Sequence, residues 1–259
     1  MSGADRHHGA HKRIAALMAE HGRTFADEAG ITPRDEPEPL YRLLVLALLS
    51  STRISARIAV AASRELSADG LTSPRAMAHA TWQDIVRALG RAGYVRYDES
   101  TATALQKGAR MLRDRWDGDL RGLREEAGRD PERIRTLLQE HPRIGPVGAA
   151  IFCRETQAVW PELRPAFDSR ALAEAERLGL PRTPRGLARS VPDSELARLA
   201  AALVRSALAN GPSHGGSRPG QGSTAGGPTF DQLYAEARER HVAGRSRMNK
   251  RELARALGH

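Results

Sequence analysis

The stretch His141-Pro142-Arg143-Ile144-Gly145-Pro146-Val147-Gly148-Ala149-Ala150-Ile151-Phe152-Cys153-Arg154 decides how this sequence folds, and Asp168 follows it after a short interval. Pro142 and Pro146 bracket a brief apolar turn, and Gly145 can take the positive φ that a tight reversal needs. Pro146 suits the first position of a helix, where its missing N–H costs nothing. Gly148, Ala149 and Ala150 are small enough to let another backbone approach the new helix. The expected product is a compact hairpin whose second helix starts with amide groups pointing outward, a surface that accepts a phosphate. Taken alone, the same residues also describe an ordinary corner between two helices.

Working outward, the chain has 259 residues, enough for one domain with a sizeable core plus an appendage, and a formal net charge of +9. That balance favours a polyanionic partner. Lys12, Lys107 and Lys250 are the only lysines, so the other cations are arginines, suited to bidentate phosphate contacts. Aromatics make up 4% of the chain, too few for base stacking on an aromatic platform to be the main binding mode. Ala, Leu, Arg and Glu dominate the middle of the sequence, a helical composition. Cys153 is the only cysteine, which excludes an intrachain disulfide and a four-cysteine iron–sulfur or zinc site. The opening MSGADRHHGAHKR lacks the apolar core of a signal peptide, and no apolar run is long enough to span a bilayer. The expectation is a soluble, cytoplasmic, nucleoid-associated protein with no metal or cofactor.

In chain order, residues 1–10 read as a disordered arm and 11–210 as an all-α domain. A helix is expected from about His11 to Ala29, then an almost wholly apolar central helix over Leu40–Leu49. Ser50 to Ser55 emerges from that helix as a small polar segment at the surface. Ser73 and Thr81 read as caps of two short helices. The loop Gly90 to Asp98 leads into a long helix ending near Trp116. Asp130 and Pro131 start a helix to about Gln139, Asp168 opens one to Leu178, and Pro192 to Ala209 supplies the last core helix. Residues 211–228 are a Gly/Ser/Pro-rich linker by composition, followed by a separate helix–loop–helix module over 229–259 with Asn249 capping its second helix.

Four segments resemble, in order, the helix-hairpin-helix DNA glycosylase superfamily, in particular its endonuclease III branch. LALLSSTRIS (46–55) is similar to the segment that fills the gap left by an extruded base. LGRAGYVRYDESTATAL (89–105) is similar to the loop and helix that follow it. HPRIGPVGAAIF (141–152) is similar to the family hairpin, and FDSRALAEAERLGL (167–180) to the helix bearing the family aspartate. The resemblance implies a two-lobed helical domain that grips duplex DNA through hairpin amides and flips a damaged or mismatched base into a cleft, because a glycosidic bond cannot be reached within the stack. It places the catalytic aspartate at Asp168, a position that a helix N-cap also explains. It places DNA contacts at Thr52, Arg53, Arg96, Arg143, Ile144, Gly145, Val147 and Gly148, with Tyr97 and Trp160 as further candidates.

The departures from that family shape the expected chemistry. Bifunctional members carry a Schiff-base lysine in the hairpin helix where this chain has Val147, so a lyase step is disfavoured. Arg143 replaces the first hairpin glycine, Thr52 stands where a longer glutamine is common with Arg53 beside it to take over, and the cluster cysteines are missing. GRSRMNKRELARAL (244–257) resembles the helix–loop–helix of the Rho terminator N-terminal region and SAP-like modules, which implies phosphate contacts from Arg245, Arg247, Lys250 and Arg251. The expected function is a monomeric, monofunctional DNA glycosylase of base excision repair acting on double-stranded DNA. The alternative is a non-catalytic DNA-binding protein that keeps the fold.

Overall fold

A computed structural model describes residues 3–210, 228, 230–245 and 248–258, and these are helical with no strand among them. The chain runs through α1 (Gly3–His21), α2 (Phe25–Glu28), α3 (Pro37–Ser50), α4 (Ala56–Ala68), α5 (Pro74–His79), α6 (Trp82–Arg91), α7 (Asp98–Trp116) and α8 (Leu120–Glu126). It continues with α9 (Pro131–Leu138), α10 (Pro146–Thr156), α11 (Ser169–Arg177), α12 (Pro184–Ala188), α13 (Leu196–Asn210), α14 (Phe230–Glu239) and α15 (Lys250–Leu257). None of the helices is long and apolar enough to cross a membrane, among the described residues.

The apolar run identified in the sequence becomes the centre of the molecule. Every residue of α3 from Leu40 to Leu49 is buried except Arg42, and α3 packs against α4 on one side and α10 on the other. A helix apolar on all sides has to be enclosed, because each exposed leucine would forfeit about 2 kcal/mol of burial. Helices α1, α10 and α11 gather around α13, while α5 and α6 lie on α7. Asp130, Ser73 and Thr81 cap α9, α5 and α6 through their side chains, as their positions in the sequence predict.

Three local expectations change. The helix expected over 11–29 is two helices. Arg198 of α13 takes the Gly22 carbonyl at 3.1 Å, and Thr24 then caps α2 by accepting from the Asp27 amide. Residues 3–10, read as an arm, already belong to α1. Helices α8 and α12 were not expected; Asp119 and Thr183 start them as N-caps.

The hairpin is seated on α7 through a glycine. A Cβ on Gly108 would lie 1.8 Å from His141 Nε2, so only glycine lets the imidazole lie against that helix. His141 is buried, its Nδ1 lies 3.0 Å from the Pro142 carbonyl, and burial pulls its pKa down to about 4. A neutral ring with the proton on Nδ1 satisfies that carbonyl. The left-handed residue of the turn is Arg143, at φ 66°, and Gly145 is in an extended conformation at φ −97°. The turn therefore places its positive φ two residues earlier than the sequence reading did.

The expected linker lies, apart from Pro228, outside the described residues. Beyond it, α14 and α15 close around Leu233, Tyr234, Ala237, Leu253 and Leu257, with Val95 of the α6–α7 loop packed against them. Asn249 caps α15 in a reciprocal box with Glu252. The segment read as a separate module is thus fastened to the body of the protein.

Candidate nucleic-acid interface

Three chain segments meet at the surface where α3 ends. The first is Ser51 to Arg53, the second is Tyr97 at the start of α7, and the third is Arg143 in the hairpin. Ser51, Thr52, Arg53, Tyr97 and Arg143 line an open cavity of about 370 Å³. Gly148 packs beside this edge: a Cβ there would stand in ordinary contact with Ser51 at 3.5 Å and tightly against Ile144 at 3.3 Å.

Cations and one aromatic ring dominate this cavity. The guanidinium of Arg143 lies 5.6 Å from the Tyr97 ring centre and that of Arg96 lies 5.4 Å from it. Both distances are within the range of cation–π attraction. Arg143 also donates to the Ser100 hydroxyl, while Arg53 projects as an exposed side chain. Thr52 donates to the Leu49 carbonyl at 2.9 Å and has the Tyr94 hydroxyl 2.9 Å from the same oxygen. A threonine has one proton to give, so Tyr94 is the donor of that second bond. Burial holds the Tyr94 phenol above its ordinary pKa. Thr52 is therefore a short side chain held down by its neighbours, and the reach at this edge belongs to Arg53.

The start of α10 faces open space. A Cβ on Gly145 would meet nothing within 4 Å, and the first bond within the helix from this end joins the Ala149 amide to the Gly145 carbonyl at 3.0 Å. The amides of Val147 and Gly148 stand outside that ladder, as the first turn of any helix requires. Val147 is 61% exposed, an apolar side chain left in water at the mouth of the hairpin. Ile144 does not join this surface. Its side chain is buried and its amide donates to the His141 carbonyl at 3.0 Å, so the turn consumes both.

Asp168 is not among the residues lining the cavity. It caps α11, Oδ1 accepting from the Ala171 amide at 2.9 Å, while Oδ2 accepts from Arg154 Nη1 at 2.5 Å. Arg154 stands two helical turns beyond Val147 on the same face of α10, in the protein interior. Its Nε donates to Glu155 at 3.1 Å, its guanidinium lies over the Phe25 ring at 5.0 Å, and Glu155 in turn accepts from the Ala26 amide at 3.0 Å. Burial would make the Arg154 guanidinium easier to deprotonate, but Glu155 and Asp168 outweigh it and its pKa is raised. The cluster holds two carboxylates and one guanidinium, a formal charge of −1.

Two other expectations move. Trp160 is fully buried, edge-on to Phe152 and donating its indole N–H to Asp35 at 2.8 Å, so it is a core residue. Arg245 is also buried, with Nη1 2.6 Å from Glu99 and Nη2 3.5 Å from Asp98. Its charge is spent on carboxylates of the body, and it has none left for a phosphate. Lys250 and Arg251 are exposed at the start of α15, and Arg247 lies outside the described residues. Arg154, Glu155 and Asp98 were not singled out in the sequence. The only local signal was a charged pair, Arg154-Glu155, within the otherwise small and apolar run of α10.

Among solved structures, the chain is similar to a non-covalent endonuclease III–DNA complex, with a TM-score of 0.50 and 16% identity over 79% of this chain and 85% of that one. The fold is endonuclease III-like. A trapped endonuclease III–DNA covalent intermediate, an estranged-adenine complex, aligns at a TM-score of 0.45 and 16% identity, covering 75% of this chain and 84% of that one. No family model matches the chain, and no curated protein does. At 16% identity the likeness establishes the helical architecture alone.

Proposed function

We propose that this protein binds duplex DNA across the cavity between Arg53, Tyr97 and Arg143 and releases a damaged or mismatched base from it as a monofunctional glycosylase. The observation that carries the reading is the placement of Asp168. Arg154, in the last turn of α10, holds its carboxylate, so a fixed negative charge stands two turns along the helix whose start is suited to a phosphate. Hydrolysis of an N-glycosidic bond develops positive charge on the sugar, and a preorganised carboxylate lowers the barrier by stabilising it. Both oxygens of Asp168 already accept a hydrogen bond, so its role is electrostatic, with water as nucleophile. Val147 offers no amine, and a covalent sugar–enzyme step is not part of the reading.

A specific observation favours a second reading, in which the protein binds DNA without chemistry. Arg154 lies 2.5 Å from the one carboxylate the reaction would use and opposes its field. Duplexes carrying single uracil, alkylated-purine or oxidised-base lesions, incubated with the protein and developed with alkali, separate the two. Strand breaks that appear only after alkali and disappear in Asp168→Asn support the glycosylase. DNA binding with no base release on any lesion leaves the binding protein. Because Asp168 also caps α11, the variant is scored only after its thermal unfolding shows a folded chain.

A further inference from the structure

Asp98 is completely buried at the first position of α7, yet its neighbour in sequence, Tyr97, forms a wall of the cavity. A buried carboxylate is tolerated only where partners replace its water. Asp98 Oδ1 accepts from the Glu99 amide at 2.8 Å and from the Tyr234 hydroxyl at 3.0 Å, and Oδ2 lies 3.5 Å from Arg245. Two of these three partners come from the C-terminal segment. Burial pushes the Asp98 carboxyl up, and the Glu99 amide, Tyr234 and Arg245 pull against it. Glu99 adds a second bond to Arg245, and Arg238 of α14 would stand 3.1 Å from a Cβ at Gly90, in the last turn of α6 before the same loop.

Residues 97 to 100 therefore serve two surfaces at once. Tyr97 and Ser100 hold Arg96 and Arg143 on the cavity side, while Asp98 and Glu99 are gripped by the C-terminal helices on the other. We infer that the C-terminal helix–loop–helix is a positioning element for the DNA site, clamping Asp98 and Glu99 through Tyr234 and Arg245 so that Tyr97 and Arg143 stand in one fixed arrangement. Arg245 and Tyr234 act on DNA through Tyr97, with no contact of their own to the nucleic acid. This inference rests on the DNA-binding reading of the cavity and deepens it.

The test uses the full chain and a fluorescein-labelled duplex. Arg245→Met removes the ion pairs, and Tyr234→Phe removes one hydroxyl while keeping the ring in its apolar cluster. Each is measured alone and combined with Tyr97→Ala, because groups that act as a unit give non-additive effects. Arg245→Met is expected to weaken binding about tenfold and Tyr234→Phe about threefold, with Tyr97→Ala costing less in either background than in wild type. Amide exchange over residues 96–100 should quicken in both variants. Variants that bind as tightly as wild type, or losses that simply multiply with that of Tyr97→Ala, overturn the positioning role. If wild type binds no duplex, the proposed function fails by itself, and unchanged exchange over 96–100 overturns the clamp independently.

Discussion

Two clusters in this molecule share one composition and differ in where they stand. In the core, Arg154 lies between Glu155 and Asp168; at the C-terminal junction, Arg245 lies between Asp98 and Glu99. Each sets one guanidinium against two carboxylates. The core cluster joins α10 to the first residue before α11 and holds the Ala26 amide of α2, so Arg154 and Glu155 reach water only if the central packing opens, while Asp168 keeps a partly exposed edge. The junction cluster joins residues on either side of the Gly-rich stretch, and its charges can be rehydrated by lifting two short helices with a five-residue apolar core. Identical chemistry thus contributes to global stability in one place and to local docking in the other.

The largest expected effect breaks the core cluster. Arg154→Met leaves Glu155 buried and Asp168 half-buried without their cation, which costs about 3–5 kcal/mol. Thermal unfolding should show either a deep drop in Tm or no folded protein; a shift of a degree or two would mean that the cluster does not hold the core. Acid supplies the next contrast, because it acts with opposite sign at the hairpin and at the junction. His141 is depressed to about 4 in the folded protein from 6.5, so its neutral-form stability is full above 6.5 and is lost as pH falls toward 4. The complete loss amounts to about 3 kcal/mol. The Asp98 carboxyl is raised, so the folded state takes up its proton more readily and the junction gains as pH falls toward the ordinary aspartate range. Amide exchange at pH 7 and pH 5 should show the hairpin loosening while α14 and α15 stay protected.

A smaller change separates the two regions by mutation. Arg245→Met should cost about 1–2 kcal/mol, limited to the free energy of docking, and should raise exchange in α14 and α15 without altering α3. Equal acceleration in α3 would show that the junction is part of the core after all. The smallest effect belongs to the turn itself. Arg143→Gly relieves a left-handed residue worth about 1–2 kcal/mol and adds about 0.5–1 kcal/mol of glycine entropy, so stability rises slightly. Duplex affinity should fall in the same variant, since the guanidinium over Tyr97 is gone. A variant that gains stability and keeps its affinity would remove Arg143 from the interface.

The helices and their starts were legible because they are written locally. Ser73, Thr81, Asp130, Asp168 and Asn249 are caps followed by helical runs, and each one caps a helix. The apolar run of α3 could only be interior. What was not legible depends on residues far apart in sequence. Nothing near Asp98 indicates that Tyr234 and Arg245 will bury it, and nothing near Arg154 indicates that Phe25 and Asp168 will enclose it. Tryptophan and arginine are ambiguous for the same reason: Trp160 and Arg245 have the chemistry to touch DNA, and their tertiary partners decide otherwise. The left-handed residue of the turn was misplaced because glycine is the usual occupant of such a position, and here the packing of Ile144 inward leaves it to Arg143.

Gly108 turns α7 into a ruler. The C-terminal clamp grips this helix at Asp98 and the hairpin rests on it at Gly108, ten residues further on. A helix advances 1.5 Å per residue, so the two attachments are held about 15 Å apart along a rod that does not stretch. The spacing of these two attachments is therefore graduated in residues of α7, and inserting or deleting a turn between Asp98 and Gly108 would shift the His141 seat against the Asp98 clamp by about 5 Å and break the reach of Arg143 back to Ser100 and Tyr97.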